Sequence, residues 1–87
     1  MDVDQPSILV IDDEARSVEA LERILEEDFD VKTATSIAEA EKILETEYVQ
    51  IILCDQCMPD MTGVEFLKIA RTKWPDLVRI IISGYTE

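Results

Sequence analysis

Histidine is absent from this 87-residue chain, and glycine, proline and cysteine are scarce, at two, three and two residues. Without histidine there is no Ser-His-Asp relay, no Cys-His pair and almost no route to a zinc site. Two cysteines are too few for a disulfide scaffold, which points to a reducing, cytoplasmic setting. No apolar run approaches the roughly 18 residues needed to cross a bilayer. The acidic start "MDVDQPS" lacks the basic residues and apolar core of a signal peptide. Bases are short as well: eight against twenty acids, a net charge of −12. No basic patch is available to displace counterions, so direct nucleic-acid binding by this segment is not expected, nor is an anionic membrane surface. A divalent cation or a basic partner suits this charge better.

What is present is an alternation of short apolar runs with helical patterns, of a length that suits one small domain over residues 1–87. Ile8 to Ile11 is the first run. From Glu14 to Glu26, apolar residues recur at Ala15, Val18, Leu21 and Leu25, which is helical spacing. "FDVKTA" alternates, as a strand does. "SIAEAEKILE" opens with a capping-box pattern at Ser36 and Glu39 and carries Ile37, Ala40, Ile43 and Leu44 on one face. "YVQIILC" reads as a third strand. "TGVEFLKIARTKW" begins with a second box at Thr62 and Glu65, with Phe66, Ile69 and Ala70 as its core stripe, and stops before Pro75. "LVRIIIS" is the fourth strand. The order β-α-β-α-β-α-β implies right-handed crossovers and a parallel sheet covered by helices.

In such a sheet, ligands bind beyond the carboxyl ends of the strands. The first strand ends in Asp12 and Asp13, the third in Asp55, and the fourth in Ser83 and Gly84. Asp12 and Asp13 alone are also readable as caps of the following helix. With Asp55 arriving from another strand, three carboxylates converge on one edge and need a counterion. All-oxygen ligands with room for water suit magnesium. A carboxylate in such a site can act as a nucleophile toward a phosphoryl group, with a nearby hydroxyl such as that of Ser83 holding the transferring oxygens.

"ILVIDDEA", "IILCDQCMPDMTGVEFL" and "VRIIISGYTE" together resemble the receiver domain of a two-component response regulator, and the resemblance covers the whole chain. It implies a flavodoxin-like (CheY-like) fold with strand order 2-1-3-4. It implies Asp55 as phosphoacceptor, Ser83 as switch hydroxyl, and Mg2+ held by Asp12, Asp13, Asp55 and the backbone carbonyl of Cys57. Pro59 and Gly63 shape the loop between. It further implies a phosphohistidine on a sensor histidine kinase as phosphoryl donor, and a self-phosphorylating aspartyl acceptor, rather than a turnover enzyme, that controls an output domain. Receiver domains continue through a fourth helix, a fifth strand ending in a lysine, and a fifth helix. This chain ends at Thr86 and Glu87, so it is expected to be the N-terminal portion of a longer protein. The same comparison leaves Leu77, Val78, Ile80, Ile81 and Ile82 as an apolar edge, from which a homo-oligomer through the fourth strand is expected.

Two other readings belong beside this one. "CDQC" has the spacing of a dithiol oxidoreductase. Those enzymes place the first cysteine near a helix N-terminus, whereas Cys54 sits in a strand pattern. The second is a receiver-like interaction or dimerisation module that never takes phosphate; the presence of all three acids speaks against it.

Overall fold

A computed structural model describes residues 5–82. The elements are β1 (Ser7–Ile11), α1 (Ala15–Leu25), β2 (Asp30–Ala34), α2 (Ile37–Thr46), β3 (Ile51–Asp55), α3 (Gly63–Lys73) and β4 (Val78–Ile82). All strand pairs are parallel and the order is β2-β1-β3-β4, as expected for the CheY-like fold. Every residue of β1 is buried. A central parallel strand is covered on both faces, and Ile8 to Ile11 are apolar without a break for that reason.

The two faces of the sheet differ. Leu9, Ile11, Ile52 and Cys54 form one contiguous core with Ile37, Ala40 and Leu44 of α2 and Phe66, Leu67 and Ala70 of α3. On the other face, residues two apart in each strand align as Ile8–Ile51–Val78 and Val10–Leu53–Ile80. Ile8 and Val10 are buried and Ile51 and Leu53 half-buried, while Val78 and Ile80 are 55% and 44% exposed. The apolar edge foreseen in the sequence is therefore narrower than expected. Leu77 is buried, and Ile81 packs against the α2–α3 core because the pleat turns it to that side.

Several boundaries move. The third strand starts at Ile51, not Tyr48; Tyr48 is 76% exposed, whereas Val49 drops into the core from the preceding loop. In α3 the buried face is Gly63, Phe66, Leu67 and Ala70, and Ile69 is 36% exposed. Ile69 fits helical spacing to Phe66 equally well, but the approach of Gly63 to the sheet sets the helix phase. The helix ends at Trp74, which packs on the core with Lys73 Nζ over its ring at 5.6 Å from the centroid.

The caps show how local sequence sets the turns. At α3 the box is complete: Glu65 N–H donates to Thr62 Oγ1 at 3.1 Å, and Thr62 N–H donates to Glu65 Oε1 at 3.0 Å. At α2 it is only half made. Glu39 N–H donates to Ser36 Oγ, but the Glu39 carboxylate accepts from the Thr35 N–H at 2.8 Å instead of from Ser36. At α1 neither Asp12 nor Asp13 is the N-cap. That position is Glu14, without a side-chain cap bond, and the Glu14 N–H donates to Asp12 Oδ1 at 3.0 Å.

Gly63 is the position where side-chain size is fixed by a neighbouring backbone. A Cβ there meets the Asp55 carbonyl oxygen at 2.6 Å and Ile81 Cδ1 at 2.8 Å. The start of α3 thus lies directly on the strand end that carries Asp55. Gly63→Ala is expected to destabilise by about 1–3 kcal/mol, the range for overpacking. Denaturant unfolding of the two proteins measures this; equal stability would place α3 farther from Asp55.

Candidate functional site

The site is assembled by strand ends. β1 and β3 run in register with Ile11 opposite Cys54, so the chain leaves both strands side by side, one at Asp12 and the other at Asp55. The Asp12 N–H donates to the Ala34 carbonyl at 3.1 Å, which ties the end of β1 to β2. Asp12, Asp13 and Asp55 bring one carboxylate oxygen each within 4.8 Å of one another. Asp12 is buried, at 9% exposure, Asp55 is half-buried and Asp13 exposed. The three acids named from sequence are therefore one cluster, graded from the sheet edge outward.

They line an open cleft of about 790 Å3 with Glu14, Ser17 and Leu21 on the α1 side and Cys57 and Ile82 opposite. No basic residue is among its described walls. Among the described residues the one ion pair lies elsewhere, between Lys32 and Asp30 on β2. The cluster is therefore not neutralised by any described side chain. Burial, followed by the charges of Asp55 and Asp13, raises the Asp12 carboxyl above its ordinary range, against the lowering effect of the Glu14 N–H. Ser83 lies outside the described residues; Ile82, immediately before it, lines the cleft.

Oxygen ligands at this spacing, open to water on one side, match the coordination of Mg2+, which takes one or two carboxylates and keeps several waters. Asp13 and Asp55 are exposed enough to reach an ion in the cleft, and Asp12 is held by the Glu14 N–H, which donates to its Oδ1. The donor set thus fits a hard divalent cation.

The pair in "CDQC" does not fit dithiol chemistry. Cys54 is buried in the core, and its thiol is pushed up to about 12 by burial first, then by Asp55 and Asp12. Its Sγ–H donates to the Asp55 carbonyl at 3.4 Å. Cys57 is exposed, and both cysteines are free. A thiol held protonated beneath carboxylates is a poor nucleophile.

One residue escaped the sequence reading. Gln56, between Asp55 and Cys57, accepts from the Val64 N–H through its side chain, a bond across eight residues that no local spacing pattern announces.

Residues 8–87 match the family model "Response regulator receiver domain". The chain is 55% identical over 83 residues to the hydrogenase transcriptional regulatory protein HoxA of Cupriavidus necator, covering 95% of this chain and 17% of that protein. Identity to HoxA of Bradyrhizobium diazoefficiens is 59% over 83 residues, with the same coverage. The chain therefore spans about a sixth of the length of these relatives. Among solved structures, the response regulator TrrA of Thermotoga maritima in complex with Mg(2+)-BeF superposes with a TM-score of 0.86 at 31% identity, covering 94% of this chain and 72% of that one. A CheY-like receiver domain protein of Methanospirillum hungatei gives a TM-score of 0.86 at 31% identity, over 95% and 67% of the two chains.

The raised Asp12 carboxyl has a defined consequence for stability. The folded protein binds this proton more tightly than the unfolded chain does. Stability linked to Asp12 is therefore greatest in acid and falls as pH rises through the raised value. At neutral pH, without divalent cation, ionised Asp12 is a standing cost. Asp12→Asn keeps the Oδ1 acceptor for Glu14 and removes the charge. Its thermal midpoint in chelator at pH 7 is expected to exceed that of the wild type, and the gap to close as pH falls below the carboxylate range. A lower midpoint for the variant at pH 7 would contradict the charge argument.

Proposed function

The chain belongs to the response regulator receiver domain family of two-component signalling, and from that premise we propose that Asp55 is its phosphoacceptor and that Asp12, Asp13 and Asp55 hold Mg2+. The observation that supports this reading is the convergence of the three carboxylates in a cleft whose described walls carry no base. The Cys57 backbone carbonyl is the fourth ligand in this proposal; Cys57 lines the same cleft. Ser83 follows Ile82 of β4 in sequence and is proposed as the hydroxyl that receives a phosphoryl oxygen.

The chemistry proposed is a displacement at phosphorus. An Asp55 carboxylate oxygen forms a P–O bond while the P–N bond to the donor histidine breaks, and the imidazole leaves with the electron pair. Asp55 is suited to attack because it is half-buried at a strand end, anchored from below and open above. Asp12 and Asp13 are held beside it by the β1–β3 register, so no chain rearrangement is needed to bring the charges together. A bound divalent ion supplies positive charge for the transferring oxygens. Since the described walls of the cleft carry no base, such an ion, when bound, would offset the repulsion between these acids and a phosphoryl group. The donor proposed is a sensor histidine kinase, and the regulated output lies in the wider protein. No described helix is long and apolar enough to cross a membrane.

A second reading is favoured by one observation. The face formed by Ile51, Leu53, Val78 and Ile80 has no described helix over its β4 side. We propose that a second copy of this chain covers it in a two-fold dimer. Each fully buried aliphatic side chain contributes about 1.5–3 kcal/mol, so Val78 and Ile80 together supply a substantial drive.

Two measurements test these proposals. In the complete receiver domain, incubation with Mg2+ and a small acyl phosphate, followed by intact-mass and peptide analysis, is expected to give a single phosphoryl adduct, on Asp55. Chelation and Asp55→Asn are each expected to abolish it. Labelling that persists in Asp55→Asn would remove Asp55 from the role. For association, Ile80→Lys is expected to weaken the dimer at least tenfold in sedimentation equilibrium, because Ile80 points away from the α2–α3 core. A wild-type monomer at micromolar concentration would contradict the dimer.

A further inference from the structure

The first N–H groups of a helix have no partner within the helix and must find one outside. In α3 all are accounted for, and two of them end on Gln56. Gly63 N–H donates to the Gln56 carbonyl at 3.0 Å and Val64 N–H to Gln56 Oε1 at 3.1 Å. Glu65 N–H goes to Thr62 Oγ1 and Phe66 N–H to the Thr62 carbonyl. Gln56 N–H in turn donates to the Ile82 carbonyl at 3.1 Å. One residue thus joins β3, the end of β4 and the start of α3. The backbone bonds are open to any residue, but the bond to Val64 requires a side chain of this length with an acceptor at its tip.

Gln56 is also flanked by two residues of the cleft, Asp55 and Cys57. Its backbone direction fixes the direction of both. The segment from Cys57 to Met61 returns to α3 with few other ties: Met58 N–H donates to the Gln56 carbonyl at 3.3 Å, and Met58 is buried in the core. From this arrangement we infer that the Gln56 side chain is a positioning residue for the cation site. By clamping the start of α3, it holds the Asp55–Cys57 turn in the orientation that presents both residues to the ion. The inference rests on the reading of Asp12, Asp13 and Asp55 as Mg2+ ligands. Partners of metal ligands commonly change metal affinity by 10–100-fold when lost, and the same range is expected here at its lower end.

The coupling is reciprocal: if the Gln56–Val64 bond supports the ion, the ion supports the bond by the same factor. In the wild type, amide hydrogen exchange of Val64 is therefore expected to slow about tenfold at saturating Mg2+. Gln56→Met keeps the length and removes the acceptor, and is expected to bind Mg2+ about tenfold more weakly. Gln56→Glu keeps the acceptor and is expected to bind as the wild type does in high salt, which screens the added charge. Asp55→Asn serves as the control for the site itself. If the wild type binds Mg2+, Asp55→Asn does not, and Gln56→Met binds like the wild type, Gln56 has a structural role only and the inference falls while the site stands. If Gln56→Met does not fold, the wild-type exchange measurement decides: Val64 exchange indifferent to Mg2+ overturns the inference. Mg2+ binding unaffected by Asp55→Asn overturns both the site and the inference.

Discussion

Mutual repulsion among three carboxylates is the constraint around which this small domain is organised. Parallel pairing of β1 with β3 forces Asp12 and Asp55 out of the sheet side by side, and Asp13 follows at once. Burial, and after it the charges of Asp55 and Asp13, raise the cost of ionising Asp12. The described part of the fold offers one N–H, that of Glu14, and no base. A protein built only for stability has no use for this arrangement. In the function proposed above an external cation accounts for it, and metal, phosphoryl group and fold are linked through one electrostatic term.

The apolar architecture keeps that term in place. The α2–α3 core packs under the ends of β1 and β3, with Cys54 directly before Asp55 and Phe66 fully buried. Gly63 lets α3 approach the Asp55 backbone, and Gln56 ties the loop between them. The acids are thus supported from beneath by rigid elements and open to water above, the arrangement expected when a site must admit an ion and a phosphoryl donor but must not drift.

Much of this was legible in the sequence, and the exceptions have physical causes. Unbroken apolar strands and alternating helical patterns identify a parallel sheet, and a parallel sheet brings the ends of its strands, and so the strand-end acids, to one edge. Ile69 and Ile81 lie on the opposite sides from those their spacing suggests, because spacing gives a helix or strand period but not its phase; the phase comes from Gly63 lying on Asp55 and from the pleat of β4. The first strand residue of β3 was misplaced because Val49 is buried without being paired. Half of one capping box is unmade because the Glu39 carboxylate accepts from Thr35, next to the cap, instead. Gln56 was invisible because its partner is eight residues away and a glutamine carries no pattern of its own.

The central claim is that the acidity at this edge forms one specific divalent site and not a diffuse negative surface. Manganese prefers the same oxygen ligands as magnesium and broadens nearby amide signals. Substoichiometric Mn2+ added to 15N-labelled protein is predicted to broaden the amides of Asp12, Asp13, Asp55 and Gln56 first, and excess Mg2+ to restore them. Broadening spread evenly over the exposed acidic residues, or centred on the glutamates of α2, would contradict the account.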